Sequence, residues 1–226
     1  VERLEQHIRD IRALASGPSV LTLNTADGLR EYEVRVTPQP ASTPELWLLG
    51  SSEFSAHLAA RLGMPYVFAH HFAGEGTERA LEIYRTEFAP SESLAQPRTF
   101  LTLNAVVADS ADEAQARALP ALRNMARLRT GEPLRPIDTV EGVQSEDIPV
   151  AARHVMDAMS ERWIIDAPGP AAARIRSLAG AFGVDEVMVA PGAGAREGEP
   201  ADRALARERT LALLAAELLS ATPAAA

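Results

Sequence analysis

A chain of 226 residues, 46% apolar and 23% charged, carries enough apolar material for one compact domain or most of one. It contains no cysteine, which excludes disulfides, thiolate catalysis and cysteine-held metals, and its net charge of −9 without a basic tract argues against a nucleic-acid surface. No apolar run reaches the ~18–20 residues of a membrane span, and the charged start at Val1, Glu2 and Arg3 lacks a signal-peptide core, so the expected setting is cytoplasmic.

Val1, Leu4, Ile8, Ile11 and Ala15 recur at helical spacing from the first position. The spacing predicts a helix over 1–15 that starts without a cap, as expected of a chain whose beginning has been cut away; Ser16, Gly17 and Pro18 close it. Strands over 20–24 and 31–36 flank Asp27-Gly28, a hairpin turn signal, and this hairpin either joins the main sheet or projects beyond it. A proline-rich connector over 37–43 leads to an apolar strand at 46–49, a helix at 52–62 and a second apolar strand at 66–69. A helix over 76–84 precedes the longest strand candidate, 99–108, and a helix over 111–128 opens on Ser110 as its cap. Periodicity disappears between 130 and 150, so 130–160 reads as an insertion or lid within a single domain, 1–226. Helices at 150–160, 171–182 and 201–219, a short extended piece at 163–165 and an apolar strand at 187–190 complete the pattern, with a Gly-rich loop over 191–198 and a fraying Ala-rich end after Thr222.

Apolar strands separated by helices imply parallel pairing with both faces covered, as in a barrel or a doubly wound sheet. On the 99–108 strand, Leu101 and Leu103 alternate with Thr102 and Asn104. The leucines are expected against outer helices, and the polar pair either lines a pocket or hydrogen-bonds across a core.

Gly50, Ser51 and Ser52 fall where the 46–49 strand turns into a helix that also carries Ser55. Backbone N–H groups at a helix N-terminus lack internal partners and the helix dipole favours an anion there, so the turn reads as a phosphate site, or as helix capping by one serine. His70 and His71 are expected at the end of the 66–69 strand, near a substrate pocket or as a strand cap. They are too few for a metal site, since neighbours on a strand point apart. Gly192, Ala193 and Gly194 read as a mobile loop more readily than as a phosphate loop, His57 as an exposed helix residue, and Asp109, Asp112 and Glu113 as helix-start charges that complement the dipole, with nothing to pair them into an acid/base couple.

The run from Leu46 through Trp47, Leu48, Leu49, Gly50, Ser51 and Ser52 continues with Ser55, Ala56, Leu58, Ala59, Ala60, Leu62, Gly63, Met64 and Pro65, then Phe68, Ala69, His70, His71 and Phe72. It resembles the bacterial-luciferase-like flavin-dependent monooxygenases. The strand through Leu103, Asn104, Ala105, Val106, Val107 and Ala108, with Asp112, Glu113 and Ala114 after it, and the stretch Gly183, Val184, Asp185, Glu186, Val187, Met188 and Val189 extend the likeness. The resemblance implies a (β/α)8 TIM barrel of which this chain holds the C-terminal half, strands five to eight, plus extra helices. It further implies FMN, or a deazaflavin in relatives, a small-molecule substrate oxidised with oxygen, a flavin reductase and a dimer. Ser51, Ser52 and Ser55 would hold the flavin phosphate with Gly50 at the turn, and His70 and Asn104 would face the substrate.

Strands one to four, which in that family carry a catalytic histidine and much of the flavin pocket, have no counterpart, so no catalytic residue is assigned. The expected function is a flavin-dependent oxidoreductase inactive as this fragment alone; the alternative is a non-catalytic half-barrel that binds flavin or phosphate weakly or assembles with another chain. Cutting a barrel in half would leave Leu48, Val67, Leu103 and Val187 wet on one side, so the isolated chain is expected to dimerise, aggregate or bind a hydrophobic dye.

Overall fold

Ile8 fixes the seat of the first helix. In the computed structural model, which describes residues 3–219, α1 (Leu4–Ser16) buries Ile8 among Leu48, Leu58 and Tyr84, and Glu5 reaches Arg61 at 2.8 Å. Val1 and the Ala-rich end lie outside the described residues. The hairpin β1 (Ser19–Thr25) and β2 (Gly28–Val34) turns tightly, Thr25 pairing Gly28, and forms a sheet of its own. Its outer strand therefore begins earlier than position 31, because the turn is shorter than the spacing suggested.

A parallel pair follows, β3 (Leu48–Gly50) and β4 (Tyr66–Phe68), connected by α2 (Glu53–Arg61). One turn, α3 (His70–Ala73), and a longer helix, α4 (Thr77–Thr86), lead to β5 (Leu101–Val107). Then come α5 (Ala111–Thr130), α6 (Val140–Gln144), α7 (Val150–Ser160), β6 (Ile164–Asp166), α8 (Pro168–Phe182), β7 (Val187–Pro191) and α9 (Leu205–Leu218). Strand β5 is central to the third sheet, parallel to β6 beyond Ala105 and to β7 before it.

The parallel pairing follows the sequence pattern, but the three sheets are small and do not close on one another among the described residues. The half-barrel expectation is thereby reduced to a mixed α/β architecture. The alternation on β5 is as expected: Leu101 and Leu103 join Ile175 of α8 and Leu214 of α9, whereas Thr102 and Asn104 emerge on the opposite face. Leu48, Val67 and Leu103 are buried rather than wet, and Val187 is half-buried; α2 and α4 fold back over Leu48, and α8 and α9 over Leu103 and Val187. Exposure falls instead on Leu49, 57% exposed, and Met188, 42%.

The stretch after α5 is irregular but fastened. Arg123 and Arg127, each with a side chain only 2% exposed, reach out of α5 to Glu132, Asp138 and Glu146 at 2.6–3.0 Å. The Gly-rich loop is also pinned rather than mobile. The Gly192 and Gly194 N–H groups donate to the Ala105 and Arg117 carbonyls, and a Cβ on Gly194 would lie 2.4 Å from Pro120. These glycines serve close packing, and their donors are not free for a phosphate.

Candidate functional site

Two features gather polar groups at the strand ends. The first is the β3–α2 turn. Gly50 is required there by contact: a Cβ would fall 2.2 Å from Ser55 Oγ and 2.3 Å from its Cβ. The close approach drives the start of α2 against the end of β3. Ser52 occupies the N-cap position in extended conformation, yet its side chain makes no capping hydrogen bond. Ser51 and Ser52 are exposed, and their hydroxyls have no partner among the described residues. Ser55 differs: buried, it donates to the Ser52 carbonyl at 2.6 Å and meets Tyr66 Oη at 3.1 Å. Its single proton is used inside the turn, so Ser55 shapes the cradle that Ser51 and Ser52 line.

An uncapped helix start with two unengaged hydroxyls and backbone brought close by a glycine fits a phosphate. Glu53, exposed in the first turn, is the one charge at this start that opposes an anion.

The second feature is a cleft lined by His70, His71, Leu103, Asn104, Arg129, Met159 and Trp163. The histidines do not extend β4, as the sequence suggested; they open α3, so both rings turn toward neighbouring elements. His70 Nδ1 lies 2.6 Å from Thr77 Oγ1, and the ring packs edge-on against Phe182. His71 Nδ1 lies 2.8 Å from Thr102 Oγ1. Burial lowers the pKa of both imidazoles, and His70 is lowered further by the charges of His71 and Arg162. Asn104 donates to the His71 carbonyl, and Thr102 donates to the Phe68 carbonyl at 3.2 Å. Strand β5 thus holds α3 by side chains where no backbone ladder joins it to β4.

Sequence reasoning missed Thr77, the partner of His70 seven positions on, and Arg129, Met159 and Trp163, which line the cleft from 58 to 93 positions beyond the two histidines and share no motif with them. Glu113 lies in the first turn of α5, as its reading as a helix-start charge expects, and it is also ion-paired. Arg196 and Arg117 both bind it, and the Arg196 guanidinium chiefly holds its carboxyl down at about 2. Asp109 likewise pairs with Arg209. His57 is exposed as expected, 2.6 Å from Glu87. Among the described residues no three metal-ligating side chains converge.

A parallel β–α–β unit with a glycine-seated turn at the strand's carboxyl end, followed by a histidine-bearing cleft at the next strand end, gives this chain the layout of α/β proteins, a class in which strand termini are the usual place for ligands. Residues 1–186 match the family described as luciferase-like monooxygenase, and the chain belongs to that family. A luciferase-like monooxygenase of Escherichia coli strain K12 is 40% identical over 99 residues, covering 44% of this chain and 30% of that protein.

Among solved structures, apo-MsnO8 superimposes with a TM-score of 0.72 at 25% identity, over 96% of this chain and 61% of that one. The oxygenating constituent of 3,6-diketocamphane monooxygenase of Pseudomonas putida, a type II Baeyer-Villiger monooxygenase in complex with FMN, gives 0.55 at 13% identity, over 96% and 62%, a likeness of fold alone. The chain spans about half the length of the curated relatives it matches, 46% and 47% of two Bacillus subtilis proteins.

Proposed function

We propose that this chain is the C-terminal part of a luciferase-like (β/α)8 barrel that binds FMN and oxidises a small organic molecule with oxygen. The observation that carries this reading is the β3–α2 turn, where Gly50 seats the helix start and Ser51 and Ser52 present unengaged hydroxyls. The flavin, when bound, supplies the electrons with which oxygen is activated. This chain's residues hold its phosphate: Ser51 and Ser52 donate through their hydroxyls, the first-turn N–H groups of α2 add donors, and Ser55 with Tyr66 keeps the turn in shape. FMN is favoured over a deazaflavin because the camphane-oxidising neighbour of like fold is an FMN complex. A flavin reductase, a dimer and a cytoplasmic setting belong to the same proposal.

A second reading, a non-catalytic flavin- or phosphate-binding half-barrel that assembles with another chain, is favoured by the unclosed sheets and the exposed Leu49 and Met188. Fluorescence titration with FMN and with riboflavin tests the site, since only FMN carries the phosphate. FMN is expected to bind at least tenfold tighter than riboflavin, and Ser51→Ala/Ser52→Ala is expected to abolish that margin, as for two charge-assisted hydrogen bonds of about 1.5–3 kcal/mol each. An unchanged margin in the double variant removes the phosphate from this turn. Oxygen-dependent turnover with reduced FMN by the chain alone then separates the two readings.

A further inference from the structure

The geometry points to His71 as a hydrogen-bond acceptor locked in one tautomer by Thr102, with Nε2 offered to a cleft that admits a single hydroxyl. The inference stands on β4, β5 and α3 and is independent of where a flavin phosphate binds.

The proton count at Thr102 fixes the tautomer. The Phe68 carbonyl belongs to a buried residue, can only accept, and has Thr102 Oγ1 at 3.2 Å. A threonine hydroxyl owns one proton, and this carbonyl takes it. The other two neighbours of Oγ1 must then donate to it. One is the His71 backbone N–H at 3.3 Å; the other is His71 Nδ1 at 2.8 Å. Nδ1 therefore carries hydrogen, and a neutral imidazole has only one to carry. Nε2 keeps its lone pair and has no partner among the described residues. Burial of the ring favours the neutral form in which that lone pair exists.

Asn104, from the same face of β5, holds the His71 carbonyl, so the residue is gripped at its N–H, its C=O and its ring. Thr102 is fully buried and does not itself reach a ligand. Its role is positioning.

The cleft sets the class of ligand. Open at its mouth, it holds about 20 Å³, room for one water-sized group, beside His71, Asn104, Trp163 and Met159, with Arg129 and Arg162 also in its lining. A donor of that size is a water, or the terminal hydroxyl of an organic molecule whose body lies outside the cleft; the neutral O–H suits a site already lined by the Arg129 and Arg162 cations.

Nitrogen NMR of the full chain labelled with ¹⁵N-histidine, above the titration range of the ring and with His71 assigned by His71→Gln, tests both parts. The wild type is expected to carry hydrogen on Nδ1. Thr102→Ser should keep that tautomer, and Thr102→Val should raise the ratio of the Nε2–H to the Nδ1–H form at least tenfold. Hydrogen on Nε2 in the wild type, or a folded Thr102→Val with unaltered tautomer, overturns the inference; if Thr102→Val does not fold, the wild-type and Thr102→Ser spectra decide. Titration with 2-phenylethanol and with its methyl ether identifies the donor. A shift of Nε2 with the alcohol alone assigns a ligand hydroxyl, no shift with either assigns water, and equal shifts with both overturn the acceptor role.

Discussion

Thr102 Oγ1 stands 2.8 Å from Nδ1 of His71, 31 positions away in the chain, and the same oxygen lies 3.2 Å from the Phe68 carbonyl. One buried hydroxyl thus joins β4, α3 and β5. Thr102→Ala would leave the buried Phe68 carbonyl without its donor, and such a loss costs about 1–3 kcal/mol. Urea unfolding should show a lowered midpoint with an unchanged slope.

Gly50 is the tightest backbone approach at the proposed phosphate turn. Gly50→Ala places a Cβ 2.2 Å from Ser55 Oγ, so α2 must move or Ser55 must turn away from Ser52. Overpacking of this kind costs about 1–3 kcal/mol, and a lower thermal midpoint is expected. FMN affinity should fall in parallel, since the displaced helix start carries the proposed phosphate donors. Unchanged stability would mean that the turn relaxes without strain.

Glu146 bridges Arg123, Arg127 and Arg135. Its removal leaves two guanidiniums that are almost wholly buried short of a partner, and stripping one member from a buried ion network costs about 3 kcal/mol. Glu146→Ala should therefore destabilise strongly in chemical unfolding. Asp147→Ala, next to it but fully exposed, should change stability by less than about 0.5 kcal/mol.

Acid should unfold the protein in two overlapping stages. His70 and His71 have pKa values lowered by burial, so the unfolded chain binds their protons more readily, and the stability they contribute fades as pH falls below the ordinary histidine value of about 6.5. Glu113 and Glu132 sit at about 2, the first mainly through Arg196 and the second mainly through Arg123. Their contribution is complete above the ordinary carboxylate value of about 4.3 and is lost as pH falls toward 2. Thermal midpoints measured from pH 8 to pH 2 should decline gently first and steeply below about pH 4.5. Replacing Arg196 with Met should flatten the steep part.

Local sequence determined most of the elements. The spacing of Leu4, Ile8 and Ile11, the Ser110 cap that accepts from the Glu113 N–H, and the alternation of Leu101 and Leu103 with Thr102 and Asn104 each depend on neighbours within about four positions. The Gly50-Ser51-Ser52 turn was legible for the same reason. Where Ser55 spends its proton was not, because the Tyr66 hydroxyl that shares it arrives from the next strand.

Only the tertiary structure decided the rest. Thr102 became a proton donor to Phe68 and an anchor for His71 because β5 packs beside β4, and Glu113 found Arg196 across 83 positions because the loop after β7 folds over α5. Arg123 and Arg127 are buried because the stretch after α5 returns over them with Glu132, Asp138 and Glu146. The sheets stay small and unclosed although each strand signal was clear, since periodicity fixes which face of a strand is apolar and carries no information on which strand edge meets which. Pairing of distant polar groups is set by the packing that brings them together, and that packing is a property of the whole chain.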